Sequence, residues 1–288
     1  MSATMQRYKA IIIGLTLAAI TSGAFALSRK TFVWNDINTR EVIRWEGDTA
    51  IIQQGSSMQE LACKVKLENP DVEFAINAFG VPKSWTTFSY QNEEELAKKQ
   101  EELSKKASAH GIKMLEKGNK FSVDYDWVVN HSANPIYSVA KTIRSAARKK
   151  GYRSTRELIG AFASFVQSLE YRIPPNNRTN DEGEEILTAG AMMPLETLSN
   201  GWGDCDSKSM LFAALVKSIN LADVCFIVMD EHLFAGVKIR PSQDDQTIRF
   251  NNKEWVLLEL TDAWPIGRVP ANHLNAVIHG KYKVVLIK

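Results

Sequence analysis

Leu61, Cys63, Val65 and Leu67 alternate with Ala62, Lys64, Lys66 and Glu68. A period of two predicts a strand, with Cys63 turned toward a core. Before it, residues 31–34, 41–45 and 50–53 are short β-prone runs separated by Asn35-Asp36 and Glu46-Gly47-Asp48, residues that favour turns. Residues 27–91 therefore read as a β-rich N-terminal portion. The period then changes. Leu96, Leu103, Ala107 and Met114 follow one another at spacings of 7, 4 and 7, one stripe of a helix over 92–117. Glu93-Glu94-Glu95 open that segment and lysines close it, the order a helix dipole favours. The charge run reads as a solvated face and the segment as a connector.

From residue 118 onward the chain reads as one domain, to 288, helix-rich and then strand-rich. Pro135 opens a predicted helix to Lys149, stopped by Gly151. Ser154 and Glu157 have capping-box spacing, and Leu158, Phe162, Phe165, Val166 and Leu169 mark a buried face. Pro174-Pro175 ends that helix, and a polar loop leads to Pro194. An apolar helix follows Cys205 to Ile219, and strands are expected near 224–229, 233–239, 254–260 and 281–287. The fold class is α+β.

Residues 1–26 form a secretory signal pattern. Arg7 and Lys9 precede the apolar stretch 10–20, and Ala24-Phe25-Ala26 has the small-x-small form of a cleavage site. An exported protein, periplasmic or secreted, is the expectation. The competing reading is an uncleaved anchor, since the apolar stretch runs on to Leu27. Only that segment would touch a membrane. Without Arg7 and Lys9 the chain holds 33 basic and 33 acidic residues, which excludes the clustered basic excess of a nucleic-acid binder. With 44% hydrophobic and 24% charged residues, it has enough apolar content to exclude a disordered or low-complexity chain. Three cysteines are too few for a disulfide scaffold. An odd count in an exported chain points to one thiol kept free.

The stretch Gly201-Trp202-Gly203-Asp204-Cys205 carries the candidate chemistry. A Cys on a glycine-containing turn that opens a helix sits among unpaired N–H groups and the positive dipole end, where a thiolate is favoured. A nucleophilic Cys needs a base, and the base needs a group that fixes its tautomer. His232 follows the apolar run 224–228 and opens another at Leu233. Glu259 interrupts the apolar run 255–260, where an unpaired carboxylate is costly; a bond to an imidazole would relieve it. Cys205 to His232 and His232 to Glu259 are both 27 residues, room for helix plus strand and then a hairpin. His110, His131, His273 and His279 lack such a setting. Asp262 is the rival acid. Asp204 and Asp206 flank the thiol and read as helix caps.

This constellation resembles the transglutaminase-like superfamily. Its signature is a Gly-x-Gly-Asp-Cys turn into a helix, a His at the start of the second strand, and a Trp-x-x-x-Asp-x-Thr strand. Residues 201–205 match the first element, His232 the second, and Trp255, Glu259 and Thr261 the third, with Glu in place of Asp. The resemblance spans about residues 118–270. It implies a papain-like core, with the catalytic Cys at a helix N-terminus packed on an antiparallel sheet. It also implies thiol-based acyl transfer at protein or peptide amides, of the bacterial transglutaminase-like cysteine peptidase type. Cys205 would be the nucleophile, His232 the base and then acid, and Glu259 the orienting acid. The Cys205 N–H is a candidate oxyanion donor and Trp202 a candidate groove wall.

Hydrolysis and protein cross-linking share the thioester, and a non-catalytic envelope-binding module that keeps the fold is the reading from another class. The chemistry as read requires no cofactor. Neither C-x-x-C nor H-x-x-x-H occurs, so zinc is not expected. The acidic loops at Asp181–Glu185 and Asp244-Asp245 lack EF-hand spacing and read as solvated. Cys225, among Val224, Phe226 and Ile227, reads as an inert buried thiol, with a Cys63–Cys225 disulfide left open.

Overall fold

The computed structural model describes residues 27–36, 42–46, 49–53, 59–115 and 120–288. The signal pattern over 1–26 lies outside them. No described helix is long and apolar enough to cross a membrane.

The described residues open with β1 (Leu27–Asp36), β2 (Val42–Glu46), β3 (Thr49–Gln53) and β4 (Gln59–Glu68). β1 and β4 pair antiparallel with Phe32 opposite Cys63 and Trp34 opposite Leu61; β2 pairs with β3. The alternation read from the sequence is the one observed: Leu61, Cys63, Val65 and Leu67 are buried, and their neighbours are exposed. The N-terminal portion is not all strand. Asn69–Ala78 is a helix, α1, because Pro70 sits in its first turn, where a missing N–H costs nothing. β5 (Val81–Pro82) and α2 (Glu93–Ala109) follow. Asn92 caps α2 by accepting the Glu95 N–H at 2.9 Å, and the helix ends at residue 109, short of the expected 117. Met114, placed on the helical stripe, belongs instead to β6 (Ile112–Leu115), which pairs with β7 (Lys120–Val123).

Three helices come next: α3 (Tyr125–Ala133), α4 (Tyr137–Lys149) and α5 (Thr155–Gln167). The Ser154–Glu157 capping box opens α5. The short strands β8 (Glu170–Tyr171), β9 (Asn177–Thr179) and β10 (Glu185–Leu187) lead to α6 (Pro194–Asn200) and β11 (Trp202–Gly203). After them comes α7 (Cys205–Ser218). Every residue from Met210 to Val216 in α7 is fully buried, the mark of a helix enclosed on all sides. It packs against α3, α4, α5 and α6 on one side and against the main sheet on the other.

That sheet is antiparallel and five-stranded, ordered β14-β15-β13-β12-β16. Its strands are β12 (Val224–Val228), β13 (Leu233–Val237), β14 (Thr247–Phe250), β15 (Lys253–Leu258) and β16 (Lys283–Leu286); α8 (Ala271–Ile278) precedes the last. Both faces are covered, so the inner strands read as unbroken apolar runs. Val224, Phe226, Leu233, Ala235, Val237, Val256 and Leu258 join the main core with α7. Cys225, Ile227, Phe234, Trp255 and Leu257 form a second core with Leu274 and Val277 of α8 packed on it. All three cysteines are free. Cys63 lies in the main core and Cys225 in the second.

The β1–β4 hairpin shares the main core with the helices rather than standing apart. Phe32 and Trp34 each meet the Phe165 ring edge-on at 5.1 Å. Buried Asp36 accepts the Tyr152 hydroxyl at 2.6 Å and the Ser164 hydroxyl at 3.2 Å. The Lys30 ammonium donates to the Ser199 and Leu198 carbonyls at the end of α6.

Candidate active site

The turn before Cys205 is built by its glycines, each for a different reason. Gly201 ends α6 at φ 79°, a left-handed conformation that costs glycine nothing. Gly203 has ordinary φ, but a Cβ there would lie 3.0 Å from Ser207 Cβ and 3.1 Å from Thr197 Cγ2, so it permits close approach of α6 and α7. Asp204 is the N-cap of α7, accepting the Ser207 N–H at 2.9 Å. Cys205 is thus the first residue of α7, as the sequence predicts.

His232 and Glu259 come from the sheet. β13 and β15 pair with Ala235 opposite Leu258 and Val237 opposite Val256. Continuing that register sets Glu259 across from Phe234, and His232 two residues away on the same face, within reach of a long side chain. The two meet: His232 Nε2 lies 2.8 Å from Glu259 Oε2. The Glu arm, one methylene longer than the Asp of the resemblance, therefore spans the gap. The other oxygen, Oε1, accepts the N–H groups of Leu260 and Thr261 at 2.9 Å and the Thr261 hydroxyl at 2.7 Å. Burial pushes this carboxyl's pKa up, but the hydrogen bonds from His232 and Thr261 and the His232 charge outweigh it and hold the group below its ordinary value. Asp262, the rival, is exposed and accepts the N–H of Ala263.

Leu233, the residue after His232, lies near enough to Cys205 for its N–H to favour the thiolate, against the effect of burial. With Nε2 committed to Glu259, Nδ1 is the imidazole nitrogen left to serve the thiol. The thiolate expected at this helix end is opposed by its surroundings, however. Burial, then the charges of Asp206 and Asp204, push the Cys205 pKa up to about 12. A helix N-terminus offers about half a positive charge, and here it faces two carboxylates. Asp206 is no cap: its Oδ1 lies 3.7 Å from Sγ as acceptor, and its Oδ2 accepts the Tyr125 hydroxyl at 3.0 Å. Burial and Asp204 raise Asp206 itself to about 6.

Two residues that the sequence reading passed over hold the site from behind. The fully buried Lys208 ammonium donates to the carbonyls of Leu169 at 3.1 Å, Thr261 at 3.2 Å and Gln167 at 3.4 Å. One side chain thereby joins α7, the end of α5 and the segment after Glu259. Desolvation lowers its pKa to about 8. Gln167 Nε2 donates at 2.7 Å to the carbonyls of both Glu259 and Trp264. The clue was available: Lys208 lies in an apolar helix, where a lone cation needs a reason. Trp202 lines the adjoining surface, with the Arg172 guanidinium 4.7 Å over its ring; β11 and β8 pair in parallel beside it.

The other histidines separate cleanly. His131 and His279 bond carbonyls four residues back in their own helices, those of Trp127 and Asn275, and His110 bonds the Ala78 carbonyl at the end of α1. His273 does not stay local. Its ring stacks on His232 with centroids 4.1 Å apart, and its Nδ1 is 3.5 Å from Glu259 Oε2. Nothing near it in sequence signals this, because α8 delivers it from the far side of the sheet. His232, Glu259 and His273 are the described group able to offer three metal-ligand atoms within 4.8 Å of one another. Their ring planes are only 21° apart, so one imidazole would have to turn before both could point at one ion.

Asp245, expected to be solvated, forms a bidentate pair with Arg156 at 2.7 and 2.8 Å that ties the β13–β14 loop to α5. No protein-family model matches this chain, and no curated protein is significantly similar to it.

Proposed function

We propose that this chain is an exported cysteine enzyme with a papain-like, transglutaminase-like core that acts on protein or peptide amides. The observation that carries the reading is the 2.8 Å His232–Glu259 contact, with Cys205 at the first position of α7. With burial and the two flanking carboxylates pushing its pKa up to about 12, the Cys205 thiol starts the reaction protonated in this reading. The Cys205 proton therefore passes to His232 Nδ1 as sulfur bonds to the amide carbon, and the carbonyl oxygen takes the electron pair. Glu259 steadies the imidazolium, and the Cys205 N–H faces the oxyanion. Collapse breaks the C–N bond, His232 returns the proton to the departing amine, and a thioester remains. Water then attacks, giving its proton to His232, and releases the acid and the thiol. A second amine in place of water would give cross-linking.

The raised thiol pKa favours one second reading, a binding module whose Cys205 stays protonated. Iodoacetamide labelling decides between them. Enzyme chemistry requires Cys205 to be labelled faster than a free thiol of equal pKa, and to lose that advantage in His232→Ala. Equal rates in both proteins would refute it. Incubation with a casein-like protein and a labelled amine then separates hydrolysis, read as fragments, from transfer, read as incorporated label.

A further inference from the structure

We infer that His273 is a positioning residue of this site, a neutral ring stacked on His232 that supports the imidazolium formed during acyl transfer. The inference rests on the role given to His232 above. His273 sits in the first turn of α8, after Pro270, and its ring runs nearly parallel to that of His232, 4.1 Å away at 21°. Phe234, of the second core, lies about equally close to both rings, 6.1 Å from His232 and tilted, 6.3 Å from His273 and nearly parallel. His232 is therefore walled on one face by a ring that is itself supported by the second core.

Charge decides which ring carries the proton. The groups facing this pair are Glu259 from β15 and, through its field on the site, Asp206 from α7. Glu259 Oε2 is 2.8 Å from His232 but 3.5 Å from His273 Nδ1, a separation too long for a good hydrogen bond. That Nδ1 is buried and has no hydrogen-bond partner. Burial and the adjacent His232 charge depress the His273 pKa more than Glu259 restores it. Two cations 4 Å apart would also repel. The proton from Cys205 therefore belongs on His232, and His273 presents it with an uncharged aromatic face, an arrangement of the same electrostatic sense as a cation over a ring.

Two variants separate the stack from simple packing. His273→Ala removes the ring; His273→Phe keeps it and removes both nitrogens. Titration of the His232 ring protons by NMR and the pH profile of Cys205 alkylation are measured for each. His273→Ala should lower the His232 pKa by roughly half a unit to one unit and slow alkylation about 3- to 30-fold. His273→Phe should restore both to within about twofold of wild type. An unchanged titration and rate in His273→Ala, with only a lower Tm, would overturn the inference. So would a His273→Phe protein as impaired as His273→Ala. Failure of the acyl-transfer reading looks different: wild-type alkylation would be indifferent to His232→Ala, while the His232 titration would still respond to the stack or not.

Discussion

The turn at residues 204–206 and the end of β15 each bury a carboxylate beside the same site, and the two respond oppositely. Glu259 is held below its ordinary pKa, and Asp206 is raised to about 6. Both are desolvated, so burial alone does not separate them. Glu259 has one oxygen filled by three donors and the other by an imidazole. Asp206 has a tyrosine, a weak thiol donor and a like-charged neighbour. One acid is built to remain ionised, and the other sits close to neutrality. Pairs pushed apart in this way commonly divide the roles in a site.

Removing the charge at each acid should therefore have opposite consequences. Glu259→Gln should have the largest effect: a lost acceptor and a misdirected tautomer should reduce turnover or the His232-dependent labelling of Cys205 by about 10³–10⁴-fold. Its carboxyl also sets an acid limit. Because the folded pKa lies below the unfolded one, its stabilisation is present above the unfolded value and disappears as pH falls through the folded value. Wild-type Tm should fall over that range more steeply than that of Glu259→Gln.

Asp206→Asn should act in the other direction. Removing the charge nearest the sulfur should lower the Cys205 pKa and speed alkylation at neutral pH by about tenfold. For this group the folded pKa is raised, so its penalty is absent at low pH and grows as pH rises from the unfolded value to about 6. Denaturant titrations above that pH should show the variant more stable by about 1–3 kcal/mol. A slower thiol in Asp206→Asn would break the comparison.

Lys208→Met leaves one buried and two part-buried carbonyls without this donor and should cost about 1–3 kcal/mol in denaturant unfolding. Tyr125→Phe is the mildest change. It removes one hydrogen bond from Asp206 and should cost about 1 kcal/mol in denaturant unfolding.

The sequence made the candidate site residues legible because each broke a pattern. Cys205 sat on a glycine turn at the mouth of an apolar helix, His232 began an apolar strand, and Glu259 stood alone among hydrophobic residues. The capping box at Ser154 and the alternation through Cys63 were equally plain, since both are local rules. What escaped was non-local. His273 reaches the site only because α8 crosses the back of the sheet, and spacing along the chain cannot express that. Asn35-Asp36 reads as a turn and Asp245 as solvated, yet Asp36 ends β1 as a buried acceptor and Asp245 pairs with Arg156, each through partners far away in the chain. The thiol's raised pKa escaped for another reason: the helix-end rule was applied without the two carboxylates that oppose it.

Lys30 belongs to the first described strand, yet its ammonium holds the carbonyls of Leu198 and Ser199, the last turn before Gly201. The hairpin that Lys30 opens also seats Phe32 and Trp34 against Phe165. Trimming the chain to residues 118–288 would thus strip a foundation rather than an ornament. The fragment would present a raw greasy scar over α4 and α5, and the turn that leads into Cys205 would hang from an untethered helix end. Anyone seeking a minimal version should keep the first strand.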